Sequence, residues 1–367
     1  MMAGTDAGTA RLISKNGITA LLEALIGEWE VLAPVQLREE LAFEPITHAS
    51  QAVLDFGNTT RPSKNAIFPP CEVLFRYDGQ EVHEPAFGRE RVVFAMRPCD
   101  ARSFLLLDNV FSGPPSQDPY YAWRREHTYL VGLACNHPSS TCFCSAVGGG
   151  PFDMRGLDVF LTDLGEAYLA EPVNARGAAF LERWAGADSG WYQEADPSAF
   201  QRKQELARQA ERKLQIGAVL ANPLVPSQTQ ERLESQYEHQ LWEALGQKCL
   251  GCGACTYLCP TCHCFDILDE ADDGSGRRLR LWDCCQFPLF TLHTSGHNPR
   301  PSGKERIRQR IMHKFRYFVA NYGEIACVGC GRCVRSCPVN IDLRYVLSDL
   351  LSDQGQAEMT MNTGQCG

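Results

Sequence analysis

CLGCGACTYLCP (249–260) and CVGCGRCVRSCP (327–338) carry one spacing twice, Cys-x2-Cys-x2-Cys-x3-Cys-Pro. Three thiolates on a tight glycine-containing loop can hold three corners of a cubane cluster. The fourth cysteine then points away to the other cluster. The spacing therefore predicts two [4Fe–4S] sites with crossed ligands. Cluster one takes Cys249, Cys252, Cys255 and Cys337, and cluster two takes Cys327, Cys330, Cys333 and Cys259. Gly251, Gly253, Gly329 and Gly331 allow the backbone to wrap closely and aim N–H groups at sulfur. Paired zinc knuckles are the bland alternative, but a zinc ribbon spaces its cysteine pairs widely. Cys259-Pro-Thr-Cys262-His263 also matches the c-type haem pattern. Haem attachment would consume Cys259, which the duplicated motif needs, so no haem is expected.

The 67 residues between Cys259 and Cys327 exceed what a compact ferredoxin requires. This insert holds Cys262, Cys264, Cys284 and Cys285, either a further metal site or small buried groups that shield the clusters. It ends in a basic run from Lys304 to Arg316, where Ile307, Ile311, Lys314 and Phe318 recur at helical spacing. One face should pack and the other be positive, either as a solvated face or as a docking surface for an acidic partner.

A second cysteine group precedes the motifs. VVFAM (92–96) and TYLVGLA (128–134) are apolar runs of the kind buried on both faces of a parallel sheet. Asp100 stands where a helix N-cap belongs, ahead of ARSFLLLDNVF. Two strands joined by a helix predict a βαβ unit, which brings Cys99 and Cys135 to the carboxyl edge of one sheet. Cys142 and Cys144 follow in a loop ending at Gly148–Gly150. Four converging thiols suit a third [4Fe–4S] cluster; zinc and no metal are the alternatives. Arg97 and Asp100, flanking Cys99, read either as tuning groups or as a local ion pair. Cys71 and Cys366 are isolated and not assigned as ligands.

The chain has 367 residues, enough for about two domains. It contains 18 cysteines, and its net charge of −9 gives no global reason to bind nucleic acid. No run approaches the ~18 apolar residues of a membrane span. The first residues lack a basic, apolar leader, so a cytoplasmic location is expected, where thiols are metal ligands more often than disulfides. The expected fold is an α/β N-terminal domain (1–197), joined by helices (198–247) to a C-terminal α+β dicluster ferredoxin-like domain with a long insert (248–352). A flexible tail (353–367) follows. Helices are expected at 16–27, 198–216 and 228–247, the last two separated by PLVPS. No GxGxxG follows a strand and no Ser/His/Asp arrangement stands out, so no catalytic residue is assigned.

The blocks MRPCDARSFLLLDNVF, GLACNHPSSTCFCSAVGGGP, CLGCGACTYLCPTCHCFDILDE, RLWDCCQFPLFTLHTSGHNPRP and CVGCGRCVRSCPVNIDL occur in that order. Together they resemble the beta subunit of the cytoplasmic group 3 [NiFe] hydrogenases, the sulfhydrogenases, over about residues 90–345. The A subunit of anaerobic sulfite reductase shares the pattern. The resemblance implies an iron–sulfur electron-transfer subunit of a cytoplasmic oxidoreductase, with no flavin or haem of its own. Its implied partners are a flavin subunit that exchanges hydride with NAD(P)H, a small iron–sulfur subunit and a nickel–iron catalytic subunit. A sirohaem subunit replaces the last in the sulfite-reductase case. A metal-stabilised scaffold without redox function is the alternative from another class.

Overall fold

The computed structural model describes residues 10–115, 117–184, 190–216, 219–220 and 222–352; Cys366 and the expected tail lie outside them. The strands are β1 (Arg11–Ser14), β2 (Glu30–Leu37), β3 (Glu40–Pro45), β4 (Cys71–Asp78), β5 (Glu81–His83) and β6 (Arg91–Met96). They continue as β7 (Thr128–Leu133), β8 (Val159–Asp163), β9 (Ala167–Pro172), β10 (Tyr192–Glu194), β11 (Phe265–Asp272) and β12 (Ser275–Trp282). Eight of them form one sheet in the order β10-β1-β9-β8-β7-β6-β2-β3. Its centre, β2-β6-β7-β8, is parallel, and antiparallel strands close both edges.

The central strands are buried on both faces, as their unbroken apolar sequences require. One face packs against α1 (Lys15–Glu28) through Ile18, Leu21 and Leu25. The other packs against α2 (Pro98–Phe111) through Phe104, Leu107 and Phe111. Helices α2 and α3 (Pro119–Glu126) connect β6 to the parallel β7, so the expected βαβ unit is present. One detail is corrected: α2 starts at Pro98 with Arg97 as its N-cap, and Asp100 sits inside the first turn. Proline's fixed φ and missing N–H suit the first helical position.

The C-terminal part packs α6 (Pro226–Ser235), α7 (Leu241–Lys248), α9 (Gly303–Met312) and α12 (Leu343–Leu351) around Trp242, Ile311, Phe315 and Leu347. In chain order α4 is Ala175–Trp184, α5 Pro197–Ile216, α8 Ala254–Tyr257, α10 Phe318–Tyr322 and α11 Arg332–Arg335. The single helix expected over 228–247 is two helices. The chain turns between them at residues 236–240, where the Trp242 indole donates to the Gln236 carbonyl at 2.9 Å. The insert forms the hairpin β11–β12, closed at Asp273-Gly274 with φ of 39° and 88°. Strand β12 pairs with β4, giving a second sheet in the order β11-β12-β4-β5. A sheet therefore joins residues 71–83 to the insert between the two cysteine motifs. Buried Arg280 of β12 reinforces the junction, bonding Glu72 of β4 and Asp118 at the start of α3.

Candidate metal centres

The two motif loops fold as copies of one another. Gly251 and Gly329 have φ of 66° and 63°, and their N–H groups each donate to the sulfur two residues earlier, Cys249 and Cys327, at 3.4 Å. Gly253 and Gly331, with φ of 78° and 72°, cap the short helices α8 and α11. A left-handed backbone at four matched positions is what glycine alone adopts without strain. The Ile341 N–H donates to the Cys337 sulfur at 3.2 Å.

Cys249, Cys252, Cys255 and Cys337, far apart in sequence, line one cavity. Arg310 and Gln286, both buried, also line it. Arg310 donates to the Cys255 carbonyl at 2.9 Å, while its Nε has no partner. Four sulfurs around a cavity with a cation on its wall suit an anionic cluster. Cys252 and neighbouring Leu250 are exposed, so this cavity lies nearest the surface.

Cys259, Cys327, Cys330 and Cys333 gather deeper. Burial, then the neighbouring thiols of the group, push Cys333 up to about 12; burial likewise pushes Cys327 up to about 11. The buried Lys314 ammonium donates to the Cys259 sulfur at 3.3 Å, to Thr261 Oγ1 at 2.9 Å and to the Ala326 carbonyl at 3.1 Å. Burial works against its charge, but the thiols of Cys259 and Cys262 outweigh that and hold its pKa above the ordinary value. A fixed cation beside a ligand sulfur favours a thiolate and, in a cluster, the more negative oxidation state.

Cys99, Cys135, Cys142 and Cys144 line a third cavity at the carboxyl ends of β6 and β7, beside Gly329 and Cys330. Ala95, with φ of 62°, marks a bulge between Phe94 and Met96 just before Cys99. Arg97 holds the rim together: it bonds the carbonyls of Leu133 (3.1 Å), Ala134 and Phe56. Asp100 does not pair with Arg97. Its carboxylate forms a two-pronged ion pair with Arg332 of the second motif at 2.6 and 2.8 Å, and both side chains are fully buried. The loop carrying Cys142 and Cys144 lies directly on that motif. Phe143 N–H donates to the Gly329 carbonyl at 2.8 Å, and a Cβ at Gly329 would lie 2.5 Å from Phe143 backbone atoms.

Cys330 lines the N-terminal cavity and Cys333 the first-motif cavity, so the second motif touches both. Of the insert cysteines, Cys262 lies against Cys259, while Cys285 lies against both Cys264 and Cys284. Cys71 begins β4 and is exposed, away from all three. Lys314, Arg310 and Gln286 escape the sequence reading as site residues. Their signal is cations at 310 and 314 on the same helical stripe as Ile307 and Ile311. The outward cations of the basic run meet the chain's own acids: Arg308 pairs with Glu238 and Arg316 with Glu234.

Residues 248–341 match the family of 4Fe–4S dicluster domains. Sulfhydrogenase 2 subunit beta of Pyrococcus furiosus is 32% identical over 323 residues, covering 87% of this chain and 92% of that protein. The chain belongs to the sulfhydrogenase beta-subunit family. No solved structure matches it. The sulfhydrogenase relationship extends well beyond the dicluster domain, into the α/β part that carries the N-terminal cysteines. No helix among the described residues is long and apolar enough to cross a membrane.

Proposed function

We propose that this sulfhydrogenase-type beta subunit is an electron relay with three [4Fe–4S] sites in a row. Cys99, Cys135, Cys142 and Cys144 hold the first. Cys327, Cys330, Cys333 and Cys259 hold the middle one. Cys249, Cys252, Cys255 and Cys337 hold the one nearest the surface. The observation that carries this reading is the pair of cavities lined by complete four-cysteine sets, both touched by the second motif. Bound clusters would supply reversible one-electron storage and transfer.

The chain's own groups do the tuning. Backbone N–H groups of Gly251, Gly329 and Ile341 donate to ligand sulfurs and stabilise their negative charge. Lys314 adds a buried positive charge at the middle site, and the Arg332–Asp100 pair locks that site to the sheet edge. In this reading the hydride and substrate steps are assigned to partner subunits. The family relationship favours a nickel–iron catalytic subunit, a small iron–sulfur subunit and a flavin subunit linked to NAD(P)H. Anaerobic purification with copurifying subunits tests this: nickel in stoichiometric amount is expected. Sirohaem without nickel would move the chain to a sulfite-reductase complex.

A further inference from the structure

Cys264, Cys284 and Cys285 belong to none of the three four-cysteine sets, yet Cys285 brings its thiol against both others. Strands β11 and β12 run in register, with Phe265 opposite Trp282, and the Asp283 N–H donates to the Cys264 carbonyl at 2.9 Å. The foot of the hairpin thus sets Cys264 beside the Asp283–Cys285 segment. The Cys285 thiol is in hydrogen-bonding contact with those of both Cys264 and Cys284. The group sits against the surface-proximal site. Gln286 bridges them: its Nε2 lies 3.6 Å from the Cys285 sulfur and its Oε1 accepts from Cys249 at 3.7 Å. Thr256, next to Cys255, reaches Cys285 at 3.9 Å.

Three thiols fall one short of a structural zinc site. We propose that Cys264 and Cys285 form a redox-active dithiol/disulfide couple next to the surface-proximal cluster. Cys284 is a poor partner. Adjacent Cα atoms stand about 3.8 Å apart across a trans peptide, short of the ~4.4–6.8 Å that disulfides span. Cys284 is also fully buried, 3.3 Å from where a Cβ at Gly253 would lie, whereas Cys264 and Cys285 are partly exposed.

Reduction breaks the Cys264–Cys285 S–S bond, consumes two electrons and two protons, and leaves two thiols. The reductant is a one-electron iron–sulfur donor at the neighbouring site acting twice, and the protons come from water at the partly exposed sulfurs. The couple would convert one-electron traffic into a two-electron store at the surface end of the relay. This inference rests on the surface-proximal site holding a cluster.

The test uses the anaerobic complex poised at a series of potentials with dithionite and hexacyanoferrate, then alkylated under denaturing conditions and digested with trypsin. Arg277, Arg278 and Arg280 separate Cys264 from Cys285 after cleavage. A disulfide-linked pair of these peptides is expected at high potential, vanishing in a two-electron transition. C264S and C285S should each abolish that transition, removing about two electron equivalents per chain, with parental iron and sulfide contents. Equal alkylation of both cysteines at every potential overturns the proposal while the clusters stand. So does a link to Cys284, or iron lost in C285S. A parent chain without iron at Cys249–Cys255 overturns both this inference and the cluster assignment beneath it.

Discussion

The surface-proximal site and the N-terminal site bring four cysteines around a cavity by opposite means. At the first, three ligands sit within seven residues on a loop whose glycines and N–H groups shape it locally, and only Cys337 is distant. At the second, Cys99 and Cys135 come together because β6 and β7 are parallel neighbours, and Cys142 and Cys144 because their loop is pressed onto Gly329. The first site is a property of a motif; the second is a property of a fold. The N-terminal site should therefore depend on packing in a way the motif loops do not.

The sharpest way to break this contrast is Cys135→Ser. Iron per chain should fall from about twelve to about eight, with both ferredoxin-type clusters kept, by iron and sulfide analysis. Unchanged iron would mean the sheet-edge cysteines hold no cluster. Next in size is the seam between fold and motif. Asp100→Ala leaves Arg332 buried without its partner, which should cost about 3–5 kcal/mol in anaerobic denaturant titrations. The N-terminal cluster should be lost before the other two. If all three are lost together, the sheet-edge site is no more dependent on packing than the motif loops.

Lys314→Met should lower the potential of the middle cluster by on the order of 60 mV, a tenfold change in a one-electron equilibrium. Potentiometric titration followed by electron paramagnetic resonance reads this, and the surface-proximal cluster should shift much less. The smallest effect is on pH dependence without clusters. Burial pushes the thiols of Cys142, Cys144 and Cys333 up to about 12, above the ~8.5 of an unfolded thiol. Between those values the folded apo-chain binds more protons than the unfolded chain, so its stability falls as the pH rises from about 9 towards 12. Melting temperatures against pH should show this slope in the apo-chain and a flatter one after cluster loading, which replaces those protons.

Much of this was legible in the residues. The duplicated spacing marks the two motif loops, which fold as copies of one another, and the apolar runs at 92–96 and 128–134 mark the βαβ unit. The insert was not read as structure, although Asp273-Gly274 between β-prone stretches is a hairpin signal. Its pairing with β4 could not be read, since registers formed across some two hundred residues leave no local trace. Asp100 was misplaced because its local sequence fits an N-cap. Only the fold shows that Arg332, 232 residues away, takes its carboxylate. Lys314 is legible as part of the packing stripe with Ile307, Ile311 and Phe318, but its contact with the Cys259 sulfur and the burial of Arg310 are tertiary facts.

The central claim is a three-cluster relay in which the sheet edge matters as much as the motifs. The most direct measurement is quantitative iron and acid-labile sulfide per anaerobically purified chain, with spin counting after dithionite reduction. The account predicts about twelve irons and three reducible cubanes. About eight irons, with zinc or nothing at Cys99, Cys135, Cys142 and Cys144, would contradict it.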